Sequence, residues 1–289
     1  MTSETWTPDF KALQDSFDLA INEDIGDGDH SSISCLDGQK RGRARLLIKE
    51  TGIIAGVALA KYLFKYIDST AEINVFIKDG APIKPGDIVL EVEGNAIKLL
   101  QSERLVLNYM QRLSGIATST SKYAAMVAHT NCTVLDTRKT TPGLRILEKW
   151  AVHLGGGGNH RMGLYDMIML KDNHIDFAGG IQPAVERVRA YLKSKGKDLK
   201  IEVEARNLNE VREALEAGAD RIMLDNFTPA QTLKAVAVIG DKAEIESSGG
   251  ITKETLVSYA ECGVDFISIG ALTHQIASLD MSLKATEKS

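Results

Sequence analysis

Apolar and polar positions follow one pattern up to about residue 115 and a different pattern after it. In the first part, Leu59, Leu63 and Ile67 recur at helical spacing, whereas residues 71–78 alternate as they do in a strand. Strands and helices mix there without a repeating strand–helix order. The pattern therefore predicts a separate α+β domain over residues 1–115, and we expect the C-terminal segment, residues 273–289, to join it.

After residue 115, short apolar runs alternate regularly with helical patterns. The predicted strands are residues 133–136, 167–170, 201–204, 221–224, 243–245 and 264–269. Six successive strand–helix units predict a parallel sheet with right-handed connections. Because a complete barrel of this kind has about eight units, we expect an irregular, incomplete (β/α) barrel of the TIM type over residues 116–272.

The dipeptide Ser114-Gly115 marks the predicted boundary between the two parts. Helical spacing predicts one helix over residues 102–113 and a second helix over residues 117–128. Since glycine is unfavourable inside a helix, we expect the helical pattern to break at Gly115.

Composition and net charge exclude some classes of binding partner for this chain. The chain has 289 residues, an apolar content of 44% and a formal net charge of −5, which argue against a general binder of nucleic acid or of membrane surfaces. Cys35, Cys132 and Cys262 are far apart and have no metal-ligand spacing. Together with the absence of an apolar run of membrane-spanning length, they predict a cytoplasmic protein with reduced thiols.

Cationic residues gather where the first two predicted barrel strands end. They are Arg138 and Lys139 after the first strand, and His160, Arg161 and Lys171 around the second. Because the carboxyl ends of parallel strands converge on one face of a barrel, we expect these side chains to meet there. The glycine run at residues 155–158 lies between the two groups and is predicted to pass close to a ligand or to move over it.

Glycine turns follow the last two predicted strands, at Ser248-Gly249-Gly250 and at Ser268 to Gly270. Backbone N–H groups in such turns, close to helix N-termini, bind phosphate in many barrels. Two carboxylates, Glu204 and Asp225, end the strands between them and could bind sugar hydroxyls, hold Mg²⁺ or stabilise a developing cation. Glu202 lies one layer deeper on the same strand face and would need a partner such as a lysine.

This set of residues favours glycosyl transfer. The cations exceed what one phosphate needs, and arginine forks suit carboxylates, so a phosphosugar would meet a compact polyacid. No cysteine or Ser-His-Asp pattern stands at a strand end, so lysine is the only evident nucleophile. A Schiff-base aldolase of a phosphosugar, using Lys139 or Lys171, therefore remains the alternative.

The chain resembles the quinolinate phosphoribosyltransferase family, also called carboxylating nicotinate-nucleotide pyrophosphorylases. The resemblance covers nearly the whole chain and rests on the segments EDIGDGDHSS, ERLVLNYMQRLSGIAT, DTRKTTPGLRILEKWAV, GGGGNHRMGLYDMIMLKDNHI, IEVEARN, IMLDNF, ESSGGI and GVDFISIGALTH. It implies an open α/β sandwich followed by an irregular barrel. It also implies that quinolinate and phosphoribosyl pyrophosphate react in the presence of Mg²⁺ to give nicotinate mononucleotide, pyrophosphate and carbon dioxide.

The resemblance further implies a role for each candidate residue. The implied quinolinate site comprises Arg104, Thr137, Arg138, Lys139, His160, Arg161 and Lys171. The implied phosphoribosyl site comprises Glu204, Asp225, Ser248, Gly249, Gly250, Ser268 and Gly270. Lys139, Glu204 and Asp225 are the implied catalytic residues, and Mg²⁺ would be held mainly through substrate, with the two carboxylates as further candidate ligands.

The resemblance also bears on assembly. It implies a homodimer in which Arg104 reaches the active site of the other subunit, with a hexamer of dimers as a larger assembly. One alternative within the same family is a molybdenum-transport-associated relative. The complete cationic set of Arg138, Lys139, Arg161 and Lys171 favours the enzyme.

Overall fold

The computed structural model describes residues 6–286, and the chain forms two compact units. The described part of the first unit comprises residues 6–121, 140–156 and 272–286. The second unit comprises residues 122–139 and 157–271. Both units are discontinuous in sequence. The predicted domain ranges, residues 1–115 with 273–289 and residues 116–272, stay a prediction.

The strands are numbered in chain order. They are β1 (Arg41–Ile48), β2 (Gly52–Ile53), β3 (Glu72–Val75), β4 (Pro82–Ile83), β5 (Ile88–Asn95), β6 (Thr133–Leu135), β7 (Ile168–Leu170), β8 (Ile201–Ala205), β9 (Arg221–Asp225), β10 (Glu244–Ser248), β11 (Phe266–Ser268) and β12 (Met281–Thr286).

A 3₁₀ helix at Phe10–Leu13 precedes the α-helices. These are α1 (Gln14–Ile25), α2 (His30–Cys35), α3 (Val57–Ile67), α4 (Ala96–Val127), α5 (Arg145–Leu154), α6 (Asp172–Ala178), α7 (Ile181–Lys195), α8 (Leu208–Glu216), α9 (Pro229–Ile239), α10 (Lys253–Ala260) and α11 (Ala271–His274).

The first unit is built on an antiparallel sheet with the strand order β12-β1-β5-β3. Strand β1 lies between β5 and β12, and Leu46 is opposite Leu90 on one side and Leu283 on the other. All three leucines are buried, because alternate residues of β1 turn the same face toward the core. Antiparallel pairing of a half-buried sheet with helices gives the predicted α+β architecture.

The second unit contains a six-stranded parallel sheet with the order β6-β11-β10-β9-β8-β7. Every pairing in this sheet is parallel. All five residues of β8 are buried, as expected for a strand covered on both faces. The predicted six strands and the incomplete barrel are confirmed, with β6 and β7 as the two edges of the sheet.

The predicted helix break at Gly115 is wrong, because α4 continues through it from Ala96 to Val127. A Cβ atom at Gly115 would collide with the backbone oxygen of Ala277, so glycine is required for close packing and not for a break. Ser114 is also engaged, since its hydroxyl accepts from the N–H of Ala55 at 3.0 Å. Neither α4, with its 32 residues, nor any other helix within residues 6–286 is apolar enough to cross a membrane.

We expect Gly115→Ala to lower the free energy of unfolding by about 2 kcal/mol, because the new methyl group meets rigid backbone. Urea denaturation followed by circular dichroism measures the change. Gly38→Ala is the matched control, since no heavy atom lies within 4 Å of its added Cβ atom, and it should change stability by less than about 0.5 kcal/mol. Equal stability of the two variants would contradict the packing role of Gly115.

Candidate active site

A cavity of about 680 Å³ opens at the carboxyl ends of the parallel strands in the second unit. Every candidate site residue predicted within the barrel lines it: Thr137, Arg138, Lys139, His160, Arg161, Lys171, Glu204, Asp225, Ser248, Gly249, Gly250, Ser268 and Gly270. The structure therefore brings these residues together, as the convergence of parallel strand ends requires.

Arg104 is the one predicted site residue that does not line this cavity. It is exposed on α4 in the first unit, beside a small recess that also contains Glu23 and Asp24. Within residues 6–286, no ion pair of Arg104 is present. The guanidinium group of Arg104 is therefore available to bind an anionic group that is not part of residues 6–286.

The cavity has a cationic side that follows β6 and precedes β7. Arg138 and Lys139 are exposed directly after β6, whereas Arg161 is half-buried. The Arg161 guanidinium donates from Nη1 to the Met167 carbonyl at 3.2 Å, and Nη2 lies 3.5 Å from the Met169 sulfur. Burial and then the like charge of Arg138 lower the pKa of Arg161. The two like charges repel each other, and an anion bound between them would relieve this repulsion.

Lys171 connects the cationic side to the carboxylates. Its ammonium lies 2.6 Å from Glu204 Oε2, and Glu204 is only 7% exposed. The backbone N–H of Lys171 donates to His174 Nδ1 at 3.0 Å, which fixes the first turn of α6. Lys171 is therefore held as a charged partner of Glu204 and is not an isolated amine.

Counting charges shows what the cavity attracts. Apart from its two histidines, the lining has four basic side chains, Arg138, Lys139, Arg161 and Lys171, and two carboxylates, Glu204 and Asp225. The excess is two positive charges, in a protein whose formal net charge is −5. The cavity is thus a local anion site on an acidic chain.

Asp225 ends β9, and the next residue has an unusual backbone. Asn226 has a φ of 56° and is the only non-glycine residue with positive φ in the described chain. Asn226 Nδ2 donates to Asp225 Oδ2 at 2.7 Å, and its backbone N–H donates to the Ser248 carbonyl at 2.9 Å. Asparagine tolerates this region better than most residues. The conformation therefore fixes the Asp225 carboxylate beside the end of β10.

The glycine-rich side of the cavity is formed by the turns after β10 and β11. Gly249 and Gly250 have φ values of 94° and 61°. A Cβ atom at Gly249 would collide with the Asn226 side chain, so no larger residue fits there. The hydroxyls of Ser248 and Ser268 lie 3.1 Å apart across these two turns. This arrangement suits an anion that is bound mainly by backbone N–H groups.

His160 is 8% exposed, and both of its ring nitrogens have contacts within the protein. Nδ1 accepts from the Arg161 backbone N–H at 2.7 Å, so the proton of a neutral ring is on Nε2. Nε2 lies 3.1 Å from Glu202 Oε2 and 3.4 Å from Glu246 Oε2. Burial disfavours a charged ring, but these two carboxylates outweigh it and raise the pKa of His160 to about 9. If Nδ1 also took up a proton, it could no longer accept the hydrogen bond from the Arg161 backbone N–H.

Glu202 and Glu246 form a buried layer beneath the cavity, and both are 0% exposed. Glu202 was predicted to need a partner such as a lysine, and the partner in the structure is His160. Burial and the charge of Glu246 raise the pKa of Glu202. Burial opposes ionisation of Glu246 too, but hydrogen bonds from His160 and Ser268 and the charge of Arg221 lower its pKa. The pKa of Glu246 is therefore the lower of the two.

This layer also has the composition of a metal cluster, since ligand atoms of His160, Glu202 and Glu246 lie within 4.8 Å of one another. A metal ion would need the lone pair of His160 Nε2. With Nδ1 already accepting from Arg161, that lone pair is not offered, because Nε2 carries the proton. The geometry therefore favours a hydrogen-bonded network over a metal centre.

The glycine run at residues 155–158 does not line the cavity, and its predicted approach to a ligand or movement over it stays a prediction. In the first unit, a Cβ atom at Gly155 would collide with the Ala117 carbonyl. In the second unit, Gly158 packs against Leu135 and its N–H donates to the Val134 carbonyl at 2.8 Å. Close packing explains these glycines.

Several residues of the site were not identified from the sequence. The cavity lining also includes Leu164, Met169, His174, Met223, Ile251, Ile269 and Ala271. Buried Asp136 supports the site, because it accepts from the His160 N–H at 2.9 Å and from Asn159 Nδ2 at 2.7 Å. The last position of a predicted strand was the available signal for Asp136, and proximity to Lys171 was the signal for His174.

Comparisons with known proteins agree over most of the chain. Residues 116–284 match the family model "Quinolinate phosphoribosyl transferase, C-terminal domain", and residues 29–114 match the corresponding N-terminal domain. The chain is 47% identical to the chloroplastic nicotinate-nucleotide pyrophosphorylase [carboxylating] of Arabidopsis thaliana, covering 96% of this chain and 83% of the relative. A probable nicotinate-nucleotide pyrophosphorylase [carboxylating] of Bacillus subtilis is 44% identical, over 91% of this chain and 90% of that one.

Solved structures give the same result. The crystal structure of NadC from Streptococcus pyogenes superposes with a TM-score of 0.92 at 38% identity, covering 97% of this chain and 99% of the other. The nicotinate-nucleotide pyrophosphorylase from Francisella tularensis superposes with a TM-score of 0.91 at 35% identity, covering 98% of each chain.

Proposed function

This chain belongs to the quinolinate phosphoribosyltransferase family, pentosyltransferases of NAD biosynthesis, and we propose that its barrel cavity binds both substrates side by side. The reaction joins the phosphoribosyl group of 5-phosphoribosyl 1-pyrophosphate to quinolinate, with loss of carbon dioxide, to give nicotinate mononucleotide. The observation that carries the assignment of the cavity is its excess of two positive charges next to two glycine turns.

We assign quinolinate to the cationic side. Its two adjacent carboxylates need two cationic partners, and Arg138 and Arg161 both line this side with guanidinium groups that can each bind a carboxylate in a bidentate manner. Lys139, Lys171 and Thr137 complete this side of the lining. His160 supports this side without binding quinolinate directly, because its ring nitrogens contact the Arg161 backbone and the buried glutamates.

We assign the phosphoribosyl group to the glycine-rich side. The 5′-phosphate would be bound by backbone N–H groups of Gly249, Gly250 and Gly270 together with the hydroxyls of Ser248 and Ser268. Glu204 and Asp225 lie between this side and the cations, where they can bind the ribose hydroxyls and stabilise positive charge on the sugar.

Mg²⁺ is the proposed cofactor, held mainly by the pyrophosphate of the substrate. Asp225 fits a role as a protein ligand, because it is only half-buried and its one hydrogen bond from Asn226 leaves lone pairs on the carboxylate. Glu204 fits less well, since Lys171 already neutralises it at 2.6 Å. When bound, Mg²⁺ would neutralise the charge of the leaving pyrophosphate.

The proposed mechanism uses positioning and electrostatics. The pyridine nitrogen of quinolinate forms a bond to the anomeric carbon while the bond to pyrophosphate breaks, through a transition state with positive charge on the ribose ring. The carboxylates of Glu204 and Asp225 stabilise this charge, and Lys139 lies in the lining to contact both substrates. The quaternary nitrogen then stabilises the electron pair left at the adjacent carbon when carbon dioxide departs, and that carbon takes up a proton.

We further propose a homodimer with shared active sites, and a hexamer of dimers as its larger assembly. Arg104 supports this, because it is exposed and has no ion pair among the contacts of residues 6–286. Large apolar side chains of the second unit are also uncovered: Leu164 is 72% exposed, Tyr165 is 67% exposed and Phe177 is 89% exposed. A second copy of the chain would cover them.

The proposed compartment is the cytoplasm, where thiols are reduced. Cys35, Cys132 and Cys262 form no disulfide, in agreement with such a compartment. The plant relatives are named as chloroplastic or mitochondrial, whereas the name of the Bacillus subtilis relative has no organelle.

The Schiff-base aldolase is disfavoured by the same geometry. Lys171 is paired with Glu204 at 2.6 Å, and for either lysine the additional guanidinium groups of Arg138 and Arg161 exceed what an aldolase of a phosphosugar needs. The molybdenum-transport alternative is disfavoured because the Arabidopsis thaliana and Bacillus subtilis relatives carry the name of the enzyme.

Purified protein is expected to release pyrophosphate with quinolinate and phosphoribosyl pyrophosphate, and to use nicotinate at least about a hundredfold less well. Nicotinate lacks one of the two carboxylates, which leaves a cation of the Arg138 and Arg161 pair without its anion. A coupled pyrophosphate assay measures kcat/KM for both acids. Comparable values would contradict the assignment of the cationic side.

A further inference from the structure

The chain passes from the second unit into the first at two crossings, and each crossing follows a residue of the cavity lining. The first crossing comes after Lys139 and the second comes after Ala271. Lys139 lines the cationic side of the cavity, and Ala271 lines it next to Gly270 on the glycine-rich side. Contacts that hold the residues just beyond each crossing therefore restrain the backbone of the lining residues that precede it.

Arg112, on α4 in the first unit, binds the chain just beyond both crossings. Its Nη2 donates to the Thr141 hydroxyl oxygen at 2.7 Å and to the Thr273 carbonyl at 3.3 Å. Its Nε donates to Glu148 Oε1 at 2.8 Å. These three bonds use three different protons, because Nη2 has two and Nε has one. One guanidinium group thus holds a residue two positions after Lys139 and a residue two positions after Ala271.

Glu148 fixes Arg112 and Thr141 together. Its side chain is 0% exposed, and its Oε1 lies 2.7 Å from Arg112 Nη2. Its other oxygen, Oε2, accepts from the backbone N–H of Thr141 at 3.1 Å. Thr141 is therefore bound through its backbone by Glu148 and through its side chain by Arg112. Such a buried ion pair resists rearrangement, because moving either partner leaves the other charge without compensation.

The turn that contains Arg138 and Lys139 is consequently anchored at both of its ends. At its start, the backbone N–H of Lys139 donates to the Thr137 hydroxyl at 3.0 Å. At its end, Thr141 is bound by Arg112 and Glu148. Ordering a cationic side chain around an anion costs conformational entropy, and a backbone that is already fixed lowers this cost.

We propose that the ion pair of Arg112 and Glu148 positions both sides of the active site, through Thr141 for the quinolinate side and through Thr273 for the phosphoribosyl side. This inference rests on the proposed function of the cavity. Among the residues that the structure describes, neither Arg112 nor Glu148 is part of the cavity lining, so both are positioning residues that touch no substrate.

The first test compares Thr141→Val with Thr141→Ser. Valine keeps the shape of the side chain but removes the oxygen that accepts from Arg112, whereas serine keeps this oxygen. Calorimetry measures the binding of quinolinate alone and of phosphoribosyl pyrophosphate alone. Thr141→Val should weaken quinolinate by about fivefold and change phosphoribosyl pyrophosphate by less than about twofold, because the bond to Thr273 is intact. Thr141→Ser should bind both ligands within about twofold of wild type.

Ser114→Ala is the matched control for a loss of stability. Ser114 is buried on the same helix as Arg112, and its hydroxyl accepts from the Ala55 N–H at 3.0 Å, a bond that involves neither crossing. Urea denaturation should show lower stability for Ser114→Ala, while its affinity for quinolinate stays within about twofold of wild type. If Ser114→Ala weakens quinolinate as much as Thr141→Val does, the effect is one of general stability and the positioning role is overturned.

Arg112→Lys tests the second crossing and decides the matter if Thr141→Val does not fold. Lysine keeps a positive charge beside Glu148 but lacks the planar fork that binds Glu148, Thr141 and Thr273 at once. Both quinolinate and phosphoribosyl pyrophosphate should bind about fivefold more weakly to this variant. An effect on one ligand alone, or on neither, would overturn the shared role.

Failure of this inference is distinguishable from failure of the proposed function. If the wild-type protein forms no nicotinate mononucleotide and does not bind quinolinate, the proposed function is wrong, and the inference that rests on it is wrong too. If the wild-type protein is active but Thr141→Val binds quinolinate as wild type does, or no better is bound by Thr141→Ser than by Thr141→Val, only the positioning role is overturned.

Discussion

Arg104→Ala and Lys139→Ala are each expected to lose about a thousandfold in kcat/KM, because each removes a cation from a site built around anions. Lys139 lines the barrel cavity, whereas Arg104 is exposed on α4 and does not line it. If Arg104 serves the cavity of a second copy, a dimer of one variant with the other has one site with both changes and one site with neither. Random pairing then restores activity to about a quarter of all sites.

The experiment unfolds the two variants together, refolds them and measures the pyrophosphate released. Each variant refolded alone gives the baseline, and mass spectrometry of the intact assemblies counts mixed dimers. Lys122→Ala is a control on the same helix, because Lys122 is exposed and does not line the cavity, and it should retain wild-type activity. If mixed dimers form and remain as inactive as their parents, Arg104 acts within its own chain and the shared-site model is wrong.

Arg161→Ala is the second variant with a large expected effect, a loss of about a thousandfold in kcat/KM for quinolinate. Arg161 is half-buried. In the alanine variant, the substrate carboxylate that Arg161 binds would therefore lose its cationic partner, and little water could take the place of the guanidinium group. Arg161→Lys should recover part of the loss, because it restores the charge but not the bidentate fork. Steady-state kinetics with varied quinolinate measure both variants.

Arg206→Ala is the matched control for this comparison. Arg206 has the same side chain, belongs to the same unit and pairs with Asp176 and Glu210, but it does not line the cavity. Its exposed ion pairs contribute little to stability, so activity should stay within about twofold of wild type. A loss in Arg206→Ala as large as that in Arg161→Ala would mean that the effect is on the barrel as a whole and not on quinolinate.

The strand ends were predictable because two simple regularities combine there. An apolar run of four or five residues indicates a buried parallel strand, and parallel strands place their carboxyl ends on one face. Lys171, Glu204 and Asp225 therefore met at one cavity as expected from the sequence. The roles assigned to them came from the family resemblance and stay predictions until they are measured.

Close packing was not predictable in the same way. Gly115 and Gly158 were interpreted through local backbone preference, whereas their neighbours, Ala277 and Leu135, are distant in sequence. The tautomer of His160 depends on one backbone N–H, and the partner of Glu202 depends on which side chain occupies the next layer. Each of these facts is set by tertiary contacts that a local pattern does not contain.

The position of β12 has a consequence for folding during synthesis. Strand β1 pairs with β5 on one side, but its other side is covered only by β12, which follows every strand of the parallel sheet in the sequence. As the chain emerges from the ribosome, β1 remains an open edge while the barrel residues are being translated. Open edges recruit strands of other chains. Nascent copies on a shared messenger RNA are thus exposed to mispairing at β1 until β12 arrives to close it.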